Sequence, residues 1–107
     1  MFQPFRQGIE IYTLYDATRY TSSSAGIKKE SDSAIVALLR YETGAQVPRH
    51  RHPGTETIMV LEGSQSDASG CYKSGSLIIN PVGSEHSVWS EHGCVVLIQW
   101  NKPVEFI

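Results

Sequence analysis

The stretch Gly44–Gly63, GAQVPRHRHPGTETIMVLEG, decides how the chain is read. His50 and His52 are two residues apart, and side chains at i and i+2 of an extended chain leave the backbone on one face. Both imidazoles can therefore reach one point, while Arg49 and Arg51 face the other way. Pro53–Gly54 supplies a turn. Glu56 then opens a β-branched run, TIMVLE, with Ile58 and Val60 on its own side, and Gly63 ends it as a turn residue. A carboxylate there can swing back toward the histidines. Two imidazoles and a carboxylate suit Zn, Fe, Mn, Ni or Cu. A further candidate ligand, His86, comes after the turn PVGSE, where Gly83 can take a positive φ and aim the next strand.

Outward from that stretch the chain reads as short strands. Pro4 blocks regular structure in residues 1–8. GIEIYTLYD alternates as a strand. ATRYTSSSAGIKKESDS is rich in Ser, Thr and charge, and is expected as a surface loop or a poorly ordered hairpin. AIVALLRYE, residues 34–42, is apolar enough for a buried helix, but Gly44 and Pro48 close it within a few residues, so a strand is expected. Leu39 and Tyr41 share its inner parity, and Arg40 and Glu42 its outer one. SQSDASGCYKSG reads as a hairpin with its tip at Asp67–Gly70, then a turn at Ser74–Gly75. SLIINP, HSVWS and CVVLIQW are further strands, and VEFI adds a final edge. Seven to nine short strands with turn signals every 8–12 residues predict an all-β sandwich, jelly roll or barrel.

The 107 residues are expected to form one domain, with residues 1–33 as a lead-in strand and loop and residues 34–107 as the core. A net charge of −2 and no basic stripe argue against nucleic acid as a partner. No apolar run approaches the roughly 18 residues that span a bilayer, and MFQPFRQGIEIY has no apolar signal region. Cys71 and Cys94 lie outside any CxxC pattern and are expected as reduced, small buried hydrophobes. A cytoplasmic location is therefore expected, without a membrane partner.

Two long gapped patterns carry a resemblance. Gly44-x5-His50-x-His52-x3-Glu56-x6-Gly63 matches the first cupin motif at every fixed position. Gly75-x5-Pro81-x-Gly83-x2-His86-x3-Ser90 matches the second except at Ser90, where the family usually has Asn. More narrowly, HRHPGTETIMVLEGSQSD, GCYKSG, NPVGSEHSVWS and GCVVL resemble the cupin domain of ChrR-type anti-sigma factors and its single-domain relatives, a group akin to acetylacetone dioxygenase. The resemblance implies a cupin jelly roll, or small antiparallel β-barrel, commonly in a homodimer. It implies one divalent metal ion per chain (Zn, Fe, Mn or Ni) on His50, His52, Glu56 and His86. The helical sigma-binding domain of the anti-sigma factors has no counterpart in residues 1–43, so sigma-factor inhibition is not carried over. The dioxygenase relative uses three histidines without the carboxylate, and Glu56 separates this sequence from it.

Barrel-facing residues expected around the metal are Tyr41, Ile58, Val60, Val88 and Trp100. Arg49 and Arg51 are solvated rim charges or, in a sharper reading, attract an anionic ligand. Glu85 should point away from the site, and His92 sits in a turn away from it. Three readings of function are open. The first is a metal-binding cupin that binds a small molecule or senses redox or metal state. The second is a non-haem metal-dependent oxygenase or isomerase acting on a small chelating substrate. The third is a zinc-stabilised structural or partner-binding domain. Open metal positions would permit chemistry, whereas tetrahedral zinc closed by four protein ligands would not, so the choice between enzyme and non-enzyme turns on coordination number.

Overall fold

A computed structural model describes residues 1–19 and 33–107. Its strands are β1 (Gln3–Arg6), β2 (Ile9–Asp16), β3 (Ile35–Tyr41), β4 (Gln46–Arg51), β5 (Glu56–Asp67), β6 (Gly70–Lys73), β7 (Leu77–Asn80), β8 (Glu85–Trp89), β9 (Cys94–Trp100) and β10 (Glu105–Phe106). A single 3-10 turn, Ala17–Arg19, comes after β2, and no α-helix occurs among the described residues. Residues 20–32, most of the segment expected as a loop or hairpin, lie outside the described residues.

The strands run in the order β1-β2-β3-β9-β5-β8-β4-β10, with β6 and β7 paired to β5 off this path. Every pairing is antiparallel. The sheet curls so that its two outermost strands approach each other. The Arg6 guanidinium of β1 lies 4.5 Å over the Phe106 ring of β10.

Strand alternation places the core on the concave side. Ala37, Leu39 and Tyr41 of β3 are buried, as are Cys94, Val96 and Ile98 of β9 and Ile58 and Val60 of β5. Arg40 and Glu42 face water, as their parity predicts. The convex side is unusually apolar. One row crosses five strands through the register pairs Leu77↔Met59, Met59↔Leu97, Leu97↔Leu38 and Leu38↔Tyr12.

Three expectations are corrected. Pro4 does not prevent pairing: it lies within β1, where an outermost strand tolerates the missing N–H, and the register slips between Pro4 and Arg6. Gly63 does not end a strand. β5, 12 residues in all, runs through it and pairs with β9 and β7 in its first part and with β6 and β8 in its last. Cys71 is exposed on β6, and only Cys94 is buried.

The continuity of β5 rests on two adjacent irregularities. The register with β9 shifts between Val60 and Glu62, so one extra residue enters β5 and its side-chain parity changes. Gly63 then adopts φ 72°. A Cβ at this glycine would stand 2.1 Å from the Gly93 carbonyl oxygen. Gly63→Ala is therefore expected to cost at least about 2 kcal/mol. Gly75→Ala, at φ 92° but with open space around its Cβ, should cost about 1 kcal/mol. Urea unfolding of both variants checks this, and equal losses would remove the steric explanation.

Candidate metal centre

His50 and His86 are register partners across β4 and β8, so their side chains leave the ladder on one face. That register exists because β4 slips by one residue against β8 between Val47 and His50. Without the bulge, Val47 and His50 would face opposite sides; with it, both line the same cavity. His52 stands just beyond β4. Its N–H donates to the Ser84 carbonyl at 2.9 Å and its carbonyl accepts from the Gly83 N–H at 2.8 Å. The segment carrying His52 is thus clamped to the turn that launches β8.

The three rings meet edge to face, with centroids 5.0 Å (His50–His52), 4.7 Å (His50–His86) and 4.7 Å (His52–His86) apart. Each imidazole is held by its Nδ1. The partners are the Pro48 carbonyl at 2.8 Å for His50, the Ser84 carbonyl at 3.0 Å for His52, and Asp67 Oδ2 at 3.2 Å for His86. A carbonyl or carboxylate only accepts, so each Nδ1 carries the proton. In the neutral ring the lone pair then sits on Nε2.

The cluster fits a divalent ion on two counts. One ligand nitrogen from each ring lies within 4.8 Å of the others. Nitrogens bound to one ion at about 2.1 Å stand about 3.0–3.4 Å apart in octahedral or tetrahedral geometry, so the three rings would draw together around a bound ion. The Nε2 of His86 is also buried with no hydrogen-bond partner, and that of His52 makes no aligned hydrogen bond although the Glu56 carboxylate stands 3.3 Å away. An unmet buried polar atom costs roughly 1–3 kcal/mol, and a bound cation would remove that cost.

Electrostatics prepare two of the three rings. Burial pushes His50 and His86 below the usual imidazole value of 6.5, outweighing the Pro48 carbonyl at His50 and Asp67 at His86, so both are neutral at pH 7. Burial also pulls His52 down, but Glu56 outweighs it and the net shift is upward. Glu56 Oε1 is 3.3 Å from His52 Nε2. Glu56 is itself buried and accepts from Asn80 Nδ2 at 3.1 Å, its partner across the β5–β7 ladder. The mutual cluster consists of the three histidines, and the carboxylate stands beside His52 rather than within it.

A cavity of about 250 Å³ opens beside the cluster, and His50, His86 and Glu56 contribute to its wall. Tyr41, Ile58, Val88 and Trp100 line it; Val60 does not, being wholly enclosed in the core. Burial raises the Tyr41 hydroxyl far above its ordinary range, so it remains protonated, and Gln65 Nε2 donates to it at 3.4 Å. Arg49 and Arg51 are rim charges, paired with Glu85 at 3.3 Å and Glu105 at 2.7 Å.

Four residues of the site carry no motif signal: Gln65, Asp67, Phe5 and Arg6. Gln65 faces the cavity only because of the β5 parity change. Phe5 and Arg6 are neighbours that both line it because Phe5 is the extra residue of β1. Only the alternation of polar and apolar residues near them could have hinted at this, and a bulge erases that signal.

This combination of a curled antiparallel sheet and three histidines on its concave side defines a cupin. The chain belongs to the family described as the ChrR Cupin-like domain, which matches residues 2–103. It is 33% identical over 75 residues to the anti-sigma-E factor ChrR of Cereibacter sphaeroides, covering 68% of this chain and 35% of that protein. The chain thus spans about a third of that relative's length. The crystal structure of Rhodobacter sphaeroides SigE in complex with the anti-sigma ChrR matches with TM-score 0.71 and 22% identity, over 94% of this chain and 49% of that one. An acetylacetone dioxygenase from Acinetobacter johnsonii matches with TM-score 0.78 and 17% identity, over 99% of this chain and 71% of that one. No helix among the described residues is long and apolar enough to cross a membrane.

Asp67 holds His86 from the far end of β5, so Asp67→Asn should weaken metal retention about 10- to 100-fold without unfolding the chain. Competition against a chelator of known affinity measures this, and unchanged retention would show that the Asp67 contact does not orient a ligand.

Proposed function

We propose that this ChrR-like cupin binds one divalent metal ion through His50, His52 and His86, with Glu56 as the fourth ligand, and holds a small molecule in the adjoining cavity as a sensor or binding protein. The observation that carries this reading is a ring of three oriented imidazoles in which the buried Nε2 of His86 has no hydrogen-bond partner and that of His52 faces only the Glu56 carboxylate. When bound, the ion would supply Lewis acidity and positions for oxygen-donor ligands. The chain supplies the rest. Nδ1 contacts fix the rings, apolar walls exclude water, and Tyr41 offers a retained hydroxyl proton.

Elemental analysis of protein grown with supplemented metals should find about one divalent ion per chain, and His52→Ala should remove most of it. Metal content at trace level in the parent protein would sink the proposal. Unchanged content in His52→Ala would overturn the ligand set.

The cavity beside the histidines favours a second reading, a metal-dependent oxygenase or isomerase acting on a small chelating substrate. Oxygen consumption by iron-loaded protein supplied with a diketone or phenol tests it. A closed four-ligand zinc site would leave only a structural or partner-binding role.

A homodimer is the assembly we propose, through the convex apolar face on which Met59 and Leu77 are exposed. We also place the protein in the reducing cytoplasm, in keeping with its two free cysteines. Leu97→Lys, at the centre of the apolar row, should convert a dimer to a monomer in light scattering. A wild-type chain that is monomeric at micromolar concentration would refute the assembly.

A further inference from the structure

We propose that Arg6 makes the cavity selective for a small carboxylate, a compact apolar body bearing one negative charge that the guanidinium meets at the outer wall. The inference rests on the metal reading above and extends it from a site to a ligand class.

The first observation is an unpaired cation. Arg40, Arg49 and Arg51 each face a carboxylate, at 2.7, 3.3 and 2.7 Å. Arg6 has no such partner among the described residues. Its guanidinium lies over the Phe106 ring and lines the cavity. Its position is built rather than incidental, because the register slip in β1 turns Phe5 and Arg6 to the same side.

The second observation is an aromatic wall. Trp100 lines the same cavity, stacked against Phe5 at 6.5 Å, and its indole N–H is buried without an acceptor. Its ring, with that of Phe5, forms an aromatic wall beside Arg6 against which a ligand's apolar body can rest.

The third is charge balance. Three neutral imidazoles, one carboxylate and a divalent ion sum to +1, and Arg6 adds another positive charge to a cavity whose remaining walls are mostly apolar. A neutral ligand leaves that excess uncompensated, and a carboxylate offsets part of it. Phe5 and Phe106, 47% and 51% exposed, offer apolar surface to the ligand's body where the cavity meets solvent.

Calorimetric titration of the metal-loaded protein with benzoate and with its neutral isostere benzamide tests this. Benzoate should bind at least about tenfold more tightly. Arg6→Gln should abolish that preference at unchanged metal content, and Arg6→Lys should keep it. A metal-loaded parent protein that binds neither compound, or both equally, overturns the inference alone. So does a preference that persists in Arg6→Gln, which would assign the carboxylate to the metal. A parent protein that takes up no metal overturns this inference and the reading beneath it together. Should Arg6→Gln fail to fold, Arg6→Met decides the matter by the same readout: loss of the preference supports the inference and its persistence overturns it.

Discussion

The antiparallel pairing of β4 with β8, slipped by one residue at Pro48–Arg49, is the constraint on which the site depends. It sets His50 opposite His86 and turns both toward the concave side. His52 joins them because its own backbone is bonded to the turn before β8. Three imidazoles so close together in a protein interior are costly. Each must lose water, and any two that were charged would repel each other. The fold limits this by giving every ring an acceptor at Nδ1 and by burying His50 and His86 deeply enough to keep them neutral. The Nε2 side is left uncompensated at His86, and at His52 it meets only the Glu56 carboxylate. Such a deficit is tolerable in a domain of modest stability only where the same atoms gain something when the site is filled.

The long strand β5 links this chemistry to the rest of the sheet. Its first residue, Glu56, stands beside His52, and its last, Asp67, holds His86. Between them the bulge and Gly63 carry the strand from one part of the sheet to the other. The carboxylates at its two ends therefore support different histidines of one cluster. Displacing β5 along its length would disturb His52 and His86 together.

Much of this was legible in the residues. The period-two alternation of β3 and β9 is clear because one face of each is buried and carries the core. His50 and His52 share a face because they are two apart on an extended chain, and their grouping with Glu56 and His86 was implied by the resemblance to the two cupin motifs. Other features could not be read. A bulge adds one residue without a compositional mark and reverses the inside-outside assignment of every later residue in its strand. This hid Gln65 on β5 and the joint inward placement of Phe5 and Arg6 on β1. Pro4 argued against any strand there, because the sequence does not reveal that β1 is outermost, where a missing N–H costs little. Gly63 looked like a stop, because a positive φ within a continuous strand resembles a turn until its neighbour, the Gly93 carbonyl, is known.

The contact between Arg6 and Phe106 also has a mechanical meaning. Neighbouring strands elsewhere in the path are joined by backbone ladders, whereas β1 and β10, at its two ends, have no ladder among the described residues and bring a cation over a ring. An exposed contact of this kind is worth about 0.5–1 kcal/mol, less than a ladder of several hydrogen bonds. The curled sheet therefore has a seam that thermal motion can part while its ladders stay intact. Those two side chains also line the cavity, so whatever parts the seam also alters the cavity wall.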